Sequence, residues 1–248
     1  MCCDFNVIPF NTVFQGEDLT IYQKSKVEEA EALCITGGHV WPASLSLLRS
    51  LETLAPSFPA TEPLVFVDLS AGLGLVSLGL AKLGDVFALE IPSTISLLQK
   101  NVAERKNISC LEYVWGSQIP GQCPERVFLT VACDLLYCAV RDGRERELAQ
   151  SLAHFALRSS GGILIVWEPR REKEERLLLE LAVSLSGGVL ALSDTTTLNG
   201  NGLAGLGVGS PLGEIFLPPS LFPEAEEDLC VLSVFLRVEK KERGEPDE

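Results

Sequence analysis

The chain has 248 residues, of which 46% are hydrophobic and 7% aromatic, and it carries a formal net charge of −14 at pH 7. This composition can supply the core of one α/β domain and excludes a disordered chain, and no apolar run reaches the roughly 20 residues that a membrane span needs. The acidic charge argues against a nucleic-acid partner and favours a basic one, such as a lysine-rich protein segment, although excess acid also serves solubility alone.

The N-terminus and the cysteines indicate the cellular setting. Residues 1–10 lack the basic and apolar regions of a secretory signal. The eight cysteines form no Cys-x-x-Cys pair, and only His39 and His154 could add nitrogen ligands. We therefore expect reduced thiols, no metal site and a cytoplasmic protein, with the nucleus as a second compartment.

The first 40 residues predict an extension that precedes the main domain. Two β-rich pieces within residues 7–23 surround Gly16, Glu17 and Asp18, which predicts a hairpin. A helix then starts at Pro42, because leucines recur at spacings of three and four from Leu47 onwards. Trp41 lies just before this helix, where it serves equally well as a core anchor or as a site residue.

Residues 64–90 predict a strand, a turn, a helix and a second strand. Residues 65–67 form a short apolar run that Asp68 closes, and the turn that follows contains Ser70, Ala71, Gly72 and Gly74. A turn of small residues lets the backbone approach a ligand closely. Residues 76–83 carry a helical pattern with Gly84 as the expected C-cap, and residues 86–89 form the next strand. Glu90 follows that strand, where a nucleotide-binding βαβ unit carries its ribose-binding acid.

The remaining chain continues the alternation of strands and helices. Helices are predicted after Pro92 and over residues 141–159 and 172–185, and strands over residues 108–114, 127–133, 163–167, 189–192 and 229–238. Residues 194–228 form a long Gly- and Pro-rich loop, and residues 239–248 form a charged tail.

This order predicts a Rossmann-like seven-stranded mixed sheet with helices on both faces. The last two strands are joined by a loop instead of a helix, so we expect the last strand to be antiparallel. The domain boundaries that follow are 1–40 for the extension, 41–238 for the domain and 239–248 for the tail.

Polar or aromatic residues follow most of the parallel strands. Ligands bind outside the carboxyl ends of strands in an open α/β sheet, and the residues at these ends are Asp68, Glu90, Trp115, Cys133, Asp134 and Glu168. A role as a helix cap or turn former would explain the position of any one of these residues. Such roles explain less well why a polar or aromatic residue recurs at the end of most strands.

The turn after the first strand discriminates between cofactors. It lacks the lysine and hydroxyl of a P-loop, and its glycines depart from the Gly-x-Gly-x-x-Gly dinucleotide pattern. S-adenosylmethionine has no phosphate and needs only a glycine turn and a ribose acid. It therefore fits this sequence best.

Four stretches carry a resemblance to a known family. They are GGHVWPASLSLLRSLE, VDLSAGLGLVSLGLAKLG, LEIPSTISLLQKNV and CDLLY, together with the Trp115-Gly116 pair. Over residues 19–185 the chain resembles the class I S-adenosylmethionine-dependent methyltransferases, specifically the protein-lysine methyltransferase-like group without a SET domain.

The resemblance implies a role for each matching residue. The cofactor-binding residues would be Trp41, Asp68, Ser70, Ala71, Gly72, Gly74, Glu90, Trp115 and Cys133. Among them Glu90 would hold the ribose hydroxyls and Trp115 would lie by the adenine. Asp134 and Tyr137 would face the substrate amine as catalytic residues.

Three positions depart from the family pattern. Ser70 replaces the usual first glycine, Glu90 the usual aspartate, and Val114 the acid that commonly precedes the Trp-Gly pair. We expect Val114 to weaken cofactor binding.

The sequence therefore predicts a monomeric methyltransferase that acts on lysine side chains of a protein, which would be lysine-rich. Two alternatives remain. One is a non-catalytic interaction module with the same fold, and the other is a methyltransferase for a small molecule. We expect neither a nucleic-acid substrate nor a membrane partner.

Overall fold

The computed structural model describes residues 7–24, 36–60, 63–160, 163–167, 172–186, 190–193 and 231–237. The predicted loop 194–228, the tail 239–248 and Glu168 lie outside these ranges. Within them, no helix combines the length and the apolar composition needed to cross a membrane.

The N-terminal extension contains the predicted hairpin. Its strands are β1 (Val7–Phe14) and β2 (Glu17–Lys24), which pair antiparallel with Phe14 opposite Glu17. Gln15 and Gly16 form the turn with φ values of 51° and 76°. Positive φ at both central residues is the geometry of a two-residue type I′ turn, whose twist matches that of the strands. The turn thus lies one residue earlier than predicted.

The main sheet and the helices around it form the rest of the described chain. The strands are β3 (Leu64–Leu69), β4 (Gly84–Glu90), β5 (Ile108–Glu112), β6 (Leu129–Cys133), β7 (Ile163–Trp167), β8 (Leu190–Ser193) and β9 (Val231–Arg237). The helices are α1 (Pro42–Leu54), α2 (Leu75–Leu80), α3 (Ile95–Val102), α4 (Leu136–Asp142), α5 (Glu145–Arg158) and α6 (Glu172–Leu185).

The seven strands have the order β5-β4-β3-β6-β7-β9-β8, and the first five are parallel. β9 runs antiparallel to both of its neighbours, which confirms the expected orientation of the last strand. The chain moves from β3 outward to β4 and β5 and then returns to place β6 on the other side of β3. Crevices for ligands form where the strand order reverses in this way.

The sheet separates two apolar cores. Alternate residues point to opposite faces of a strand, so Phe66 joins one core and Val67 the other. The first core contains residues of α1, α2 and α3 together with Phe14, Leu19 and Ile21 of the hairpin. The second contains residues of α4, α5 and α6.

Polar contacts fix the hairpin on the three helices of the first core. The Gln15 N–H donates to the Glu52 carboxylate on α1, and Lys82 pairs with Glu17 after α2. Asn101 on α3 accepts from the Tyr22 N–H at 3.1 Å, and its amide donates to the Tyr22 and Leu73 carbonyls at 3.0 Å each. A single α3 side chain therefore joins the hairpin to the turn after β3.

Two sequence predictions about helix ends are wrong. Gly84 does not cap a helix, because α2 ends at Leu80 and Gly84 begins β4. A Cβ on Gly84 would lie 2.1 Å from the Leu64 carbonyl oxygen, so glycine is needed here for close strand pairing. The predicted helix over residues 141–159 is two helices, because Gly143 adopts φ 63° and ends α4.

Candidate functional site

The turn after β3 has a backbone that few side chains tolerate. Ser70, Gly72 and Gly74 have φ values of 64°, 56° and 87°. The Ala71 N–H donates to the Leu89 carbonyl at 2.9 Å, which ties the turn to the end of β4. A Cβ on Gly74 would lie 2.7 Å from Leu98 Cδ1, so α3 packs directly against the turn. The turn is compact and held from two sides.

Glu90 at the end of β4 faces this turn. It is 6% exposed, and its Oε2 accepts the Gly72 N–H at 2.6 Å. Its Oε1 accepts the Ile91 N–H at 2.9 Å and the Thr94 hydroxyl at 2.8 Å. Burial raises the pKa of the carboxyl, and these three donors act in the opposite direction. The carboxylate is therefore fixed within reach of anything seated on the turn.

Asp68 lies behind the turn. It is 2% exposed, and its Oδ2 accepts the Ser77 hydroxyl at 2.6 Å from the first turns of α2. Burial raises the pKa of Asp68 to about 7, Glu90 adds to the increase, and the Ser77 hydrogen bonds oppose it. Asp68 thus joins β3 to α2 on either side of the turn.

Trp115 and Gly116 follow β5 and are held by α5. Arg144 Nη2 donates to the Trp115 carbonyl at 2.7 Å, and the Gly116 N–H donates to Ser151 Oγ at 3.0 Å. Gly116 has φ 76°, and a Cβ there would lie 2.8 Å from Glu147 Cγ. The glycine of the Trp-Gly pair is therefore required by backbone geometry and by the close approach of α5.

The indole of Trp115 reaches back to the turn after β3. Its Nε1 donates to Ser70 Oγ at 2.9 Å. Because β4 lies between β3 and β5, this hydrogen bond spans the strand end that carries Glu90. The structure thus brings together Ser70, Ala71, Gly72, Glu90 and Trp115.

Cys133, Asp134 and Tyr137 lie at the adjacent end of β6. Cys133 is partly buried against the first core. Asp134 has φ 47°, a conformation that Asp and Asn adopt more readily than most residues, and its Oδ1 is buried. Tyr137 is 38% exposed in the first turn of α4.

Trp41 lies farther from the turn along the chain, at the N-cap of α1, and is 42% exposed. That exposure argues against a fully buried core anchor. The segment before it approaches the site, because the Gly37 carbonyl lies 3.8 Å from where a Gly72 Cβ would be. The structure thus brings the backbone that precedes Trp41 to the glycine turn.

Sequence reasoning missed the side chains that hold these residues. They are Ser77 for Asp68, Thr94 for Glu90, Asn101 for the glycine turn, and Arg144 and Ser151 for the Trp-Gly pair. Thr94 has a weak sequence signal, since it stands four residues after Glu90. Arg144 and Ser151 have none, because their partners lie 29 and 35 residues away in the chain.

With this geometry established, a family model described as lysine methyltransferase matches residues 18–183. The chain belongs to the lysine methyltransferase family. The match spans the hairpin's second strand, the glycine turn, the Trp-Gly pair and the Asp134 segment. Comparison with curated protein sequences gives no match.

Solved structures of methyltransferases match this family member at low sequence identity. A TehB-like enzyme from Corynebacterium glutamicum is 13% identical with a TM-score of 0.49, and the match covers 86% of this chain and 96% of that one. The N-methyltransferase NodS from Bradyrhizobium japonicum is 14% identical with a TM-score of 0.47, covering 79% and 94%. A T. thermophilus 16S rRNA N2 methyltransferase, in complex with AdoMet and guanosine, is 17% identical with a TM-score of 0.49. That match covers 94% of this chain and 51% of that one.

The site of this lysine methyltransferase family member fits S-adenosylmethionine as its cofactor. Gly72 carries no side chain, and the nearest atom to its Cβ position is 3.8 Å away, which leaves room where the amino-acid end would lie. Glu90 presents a buried carboxylate for the ribose hydroxyls, and the Trp115 ring is hydrogen-bonded to Ser70 of the same turn. The chain is an S-adenosylmethionine-dependent methyltransferase.

Proposed function

We propose that this methyltransferase transfers the methyl group of S-adenosylmethionine to the side-chain amine of a lysine in a protein substrate. The observation that carries the proposal is the position of Asp134. Asp134 directly follows β6, and β6 pairs with β3. The Asp134 carboxylate is therefore next to the turn after β3. The description of the matched family as lysine methyltransferase supports the same substrate.

A carboxylate at this position suits the proposed chemistry. S-adenosylmethionine supplies a methyl group already activated by its sulfonium, so the protein's main task is alignment. Less than about 0.1% of a lysine with a pKa near 10.4 is neutral at pH 7, and only the neutral amine can attack. Asp134 would accept a hydrogen bond from the ammonium group, orient it and receive its proton directly or through water.

Tyr137 lies three residues after Asp134, in the first turn of α4, and its side chain is exposed. The Arg141 guanidinium carbon lies 5.9 Å from the centroid of the Tyr137 ring, within the ~6 Å range of cation–π interactions. Arg141 would itself repel a second cation, so Tyr137 supports the proposal by its position and not by this contact. The half-exposed ring would form one wall of the channel through which the lysine side chain reaches Asp134.

The charge of the whole chain supports a basic protein partner. A net charge of −14 attracts lysine-rich segments and raises their rate of encounter, and it repels nucleic-acid phosphates. We propose such a segment as the substrate, with no nucleic acid involved and with the enzyme acting as a monomer.

The test is to identify the methylated species. Purified enzyme and methyl-labelled S-adenosylmethionine are incubated with cell lysate that has been depleted of endogenous cofactor. The labelled material is separated into protein, RNA and small-molecule fractions, and the protein is hydrolysed to amino acids. We expect the label to be recovered as methyl-lysine.

Two control reactions show which part of the label depends on the enzyme. One omits the enzyme, and another contains the Glu90→Gln variant, which we expect to bind the cofactor poorly. Enzyme-dependent label that is confined to the small-molecule or RNA fraction would overturn the lysine proposal while leaving the methyltransferase intact. Label in protein on a residue other than lysine would also overturn it.

A further inference from the structure

Ser70 occupies a backbone conformation that favours glycine. Its φ of 64° is in the left-handed region, where a side chain with a Cβ is strained. The same turn uses glycine at its two other left-handed positions, Gly72 and Gly74. A serine held in such a conformation needs a compensating interaction.

The compensating interaction is the hydrogen bond with Trp115. The indole Nε1 donates to Ser70 Oγ at 2.9 Å, and both residues are partly buried. Neighbouring strands lie about 4.8 Å apart, so the ends of β3 and β5 are separated by roughly twice that distance. The indole side chain crosses this gap above the end of β4, and the serine hydroxyl meets it on the far side. Glycine at position 70 would offer no side-chain acceptor.

The other hydrogen bonds at Trp115 and Gly116 involve the backbone, and the Trp115 side chain also packs against the second core. Arg144 binds the Trp115 carbonyl, and Ser151 binds the N–H of the next residue. These backbone hydrogen bonds fix the position of the Trp115 Cα atom. The hydrogen bond to Ser70 fixes the position of the indole nitrogen and so the orientation of the ring.

We propose that Ser70 is a positioning residue for Trp115. Its hydroxyl holds the indole across the end of β4, so that the ring forms a preformed wall of the nucleoside part of the cofactor pocket beside Glu90. A ring that is already ordered costs less free energy to bind against, so the cofactor binds more tightly than to a pocket with a mobile indole. This inference concerns the cofactor pocket and is independent of the substrate.

The test uses Ser70→Gly and Ser70→Ala. Both remove the acceptor, whereas only glycine also relieves the strain at φ 64°. Isothermal titration with S-adenosylmethionine is expected to give a Kd about 5- to 20-fold higher for both variants, the loss typical of one hydrogen bond and an unfixed ring. Ser70→Gly should match or exceed the wild type in thermal stability and still bind more weakly.

The indole N–H provides a readout independent of binding and activity. In ¹H–¹⁵N spectra the Trp115 Hε1 signal, identified by its loss in Trp115→Phe, should shift and exchange faster with solvent in both Ser70 variants. The Hε1 signal of Trp41 should stay unchanged. Ser117→Ala is the matched control, since it removes a nearby hydroxyl that bonds the Val114 carbonyl instead of the indole.

A double variant separates positioning from a general effect on the turn. If the hydroxyl acts through the indole, Ser70→Gly should change the Kd less than about twofold when it is made on top of Trp115→Phe. The proposal is overturned if Ser70→Gly binds S-adenosylmethionine as tightly as the wild type, or if the Trp115 Hε1 signal is unchanged. Equal losses in the wild-type and Trp115→Phe backgrounds would overturn it as well.

Discussion

The two halves of the site are built differently. On the cofactor half, the carboxylates of Asp68 and Glu90 are 2% and 6% exposed and are bound by side chains and backbone of their own chain. On the half at the end of β6, Tyr137 is 38% and Val140 44% exposed. The two carboxylates of the first half are enclosed by the protein, whereas these two α4 side chains of the second half face the exterior.

This difference indicates what each half must recognise. A small cofactor of fixed shape can be bound by groups that are already in place, which lowers the entropy cost of binding. The proposed protein substrate would reach its site from outside, so the groups that meet it would have to be accessible. The structure therefore predicts that changes in the enclosed half act on cofactor affinity, and that changes in the open half act on turnover.

The largest expected effect is that of Asp134→Asn. Asparagine keeps the shape and tolerates the left-handed backbone at φ 47°, so the fold should be retained. If Asp134 assists as proposed, loss of the carboxylate should lower kcat for methyl transfer by about 100- to 1,000-fold, within the range of general-base assistance. The Kd for S-adenosylmethionine, measured by isothermal titration, should change less than about twofold.

The control for Asp134 is Asp85→Asn. Asp85 is exposed at the start of β4, at the opposite edge of the sheet, and this variant should retain wild-type turnover. If Asp134→Asn instead weakens cofactor binding and leaves kcat intact, the division between the two halves is incorrect.

Glu90→Gln should have the next largest effect, and it should change the Kd for S-adenosylmethionine instead of kcat. The amide keeps the volume of the side chain but replaces one acceptor with a donor that faces the Gly72 N–H or the Thr94 hydroxyl. A hydrogen bond to a charged group contributes about 1.5–3 kcal/mol, so the Kd for S-adenosylmethionine should rise about 10- to 100-fold. kcat at saturating cofactor should fall much less than the affinity.

Glu112→Gln is the matched change on the adjacent strand. Glu112 pairs with Glu90 in the register of β4 and β5, and it is exposed. We expect its titration curve to overlay that of the wild type. Similar losses in both variants would mean that net charge, and not the position of Glu90, governs cofactor affinity.

A smaller effect is expected in the pH dependence of stability. Asp68 has its pKa raised to about 7 in the folded protein, from an ordinary value of 3.8. The folded state therefore binds the proton more tightly than the unfolded state, and stability falls as pH rises through this range. Between pH 6 and pH 8 the free energy of unfolding should fall by on the order of 1 kcal/mol through this group.

Urea denaturation at several pH values, with wild type and Asp68→Asn, checks this expectation. The asparagine can still accept the Ser77 hydroxyl and does not titrate, so its stability should decline less between pH 6 and pH 8. Glu90, whose pKa is also raised by burial, remains in both proteins and supplies a common background. Identical slopes for the two proteins would count against the raised pKa of Asp68.

The sequence predicted the architecture because its signals were local. The strand and helix that surround the glycine turn, and the antiparallel last strand, each followed from periodicity or connection length. The same local signals gave a wrong prediction where a contact with a distant part of the chain determines the residue type. Gly84 had the spacing of a helix cap, but the constraint on it is the Leu64 carbonyl on the neighbouring strand.

The sequence allowed us to predict which strand ends form the candidate site, but not which hydrogen bonds join the side chains there. Parallel strands bring their carboxyl ends to one edge, which is why Asp68, Glu90 and Trp115 could be grouped from the sequence alone. The hydrogen bond from Trp115 to Ser70 depends on side-chain direction across a third strand, which no spacing rule contains. In the sequence Ser70 was only a departure from the usual glycine, and the structure gives it a specific partner.

The smallest expected effect concerns Val114, where the family commonly has an acid. The backbone here is already fixed, because the Val114 carbonyl accepts the Ser117 N–H at 3.0 Å and the Ser117 hydroxyl at 2.6 Å. Val114→Asp should therefore leave this backbone turn unchanged. An added acceptor next to Trp115 should lower the Kd for S-adenosylmethionine about two- to fivefold, with Val114→Asn giving a smaller gain because its acceptor is uncharged. Unchanged affinity in both variants would mean that an acceptor at position 114 adds nothing to the cofactor contacts of Glu90 and the Ser70–Trp115 pair. Weaker cofactor binding by the aspartate variant alone would indicate that Asp68 and Glu90 repel the added charge.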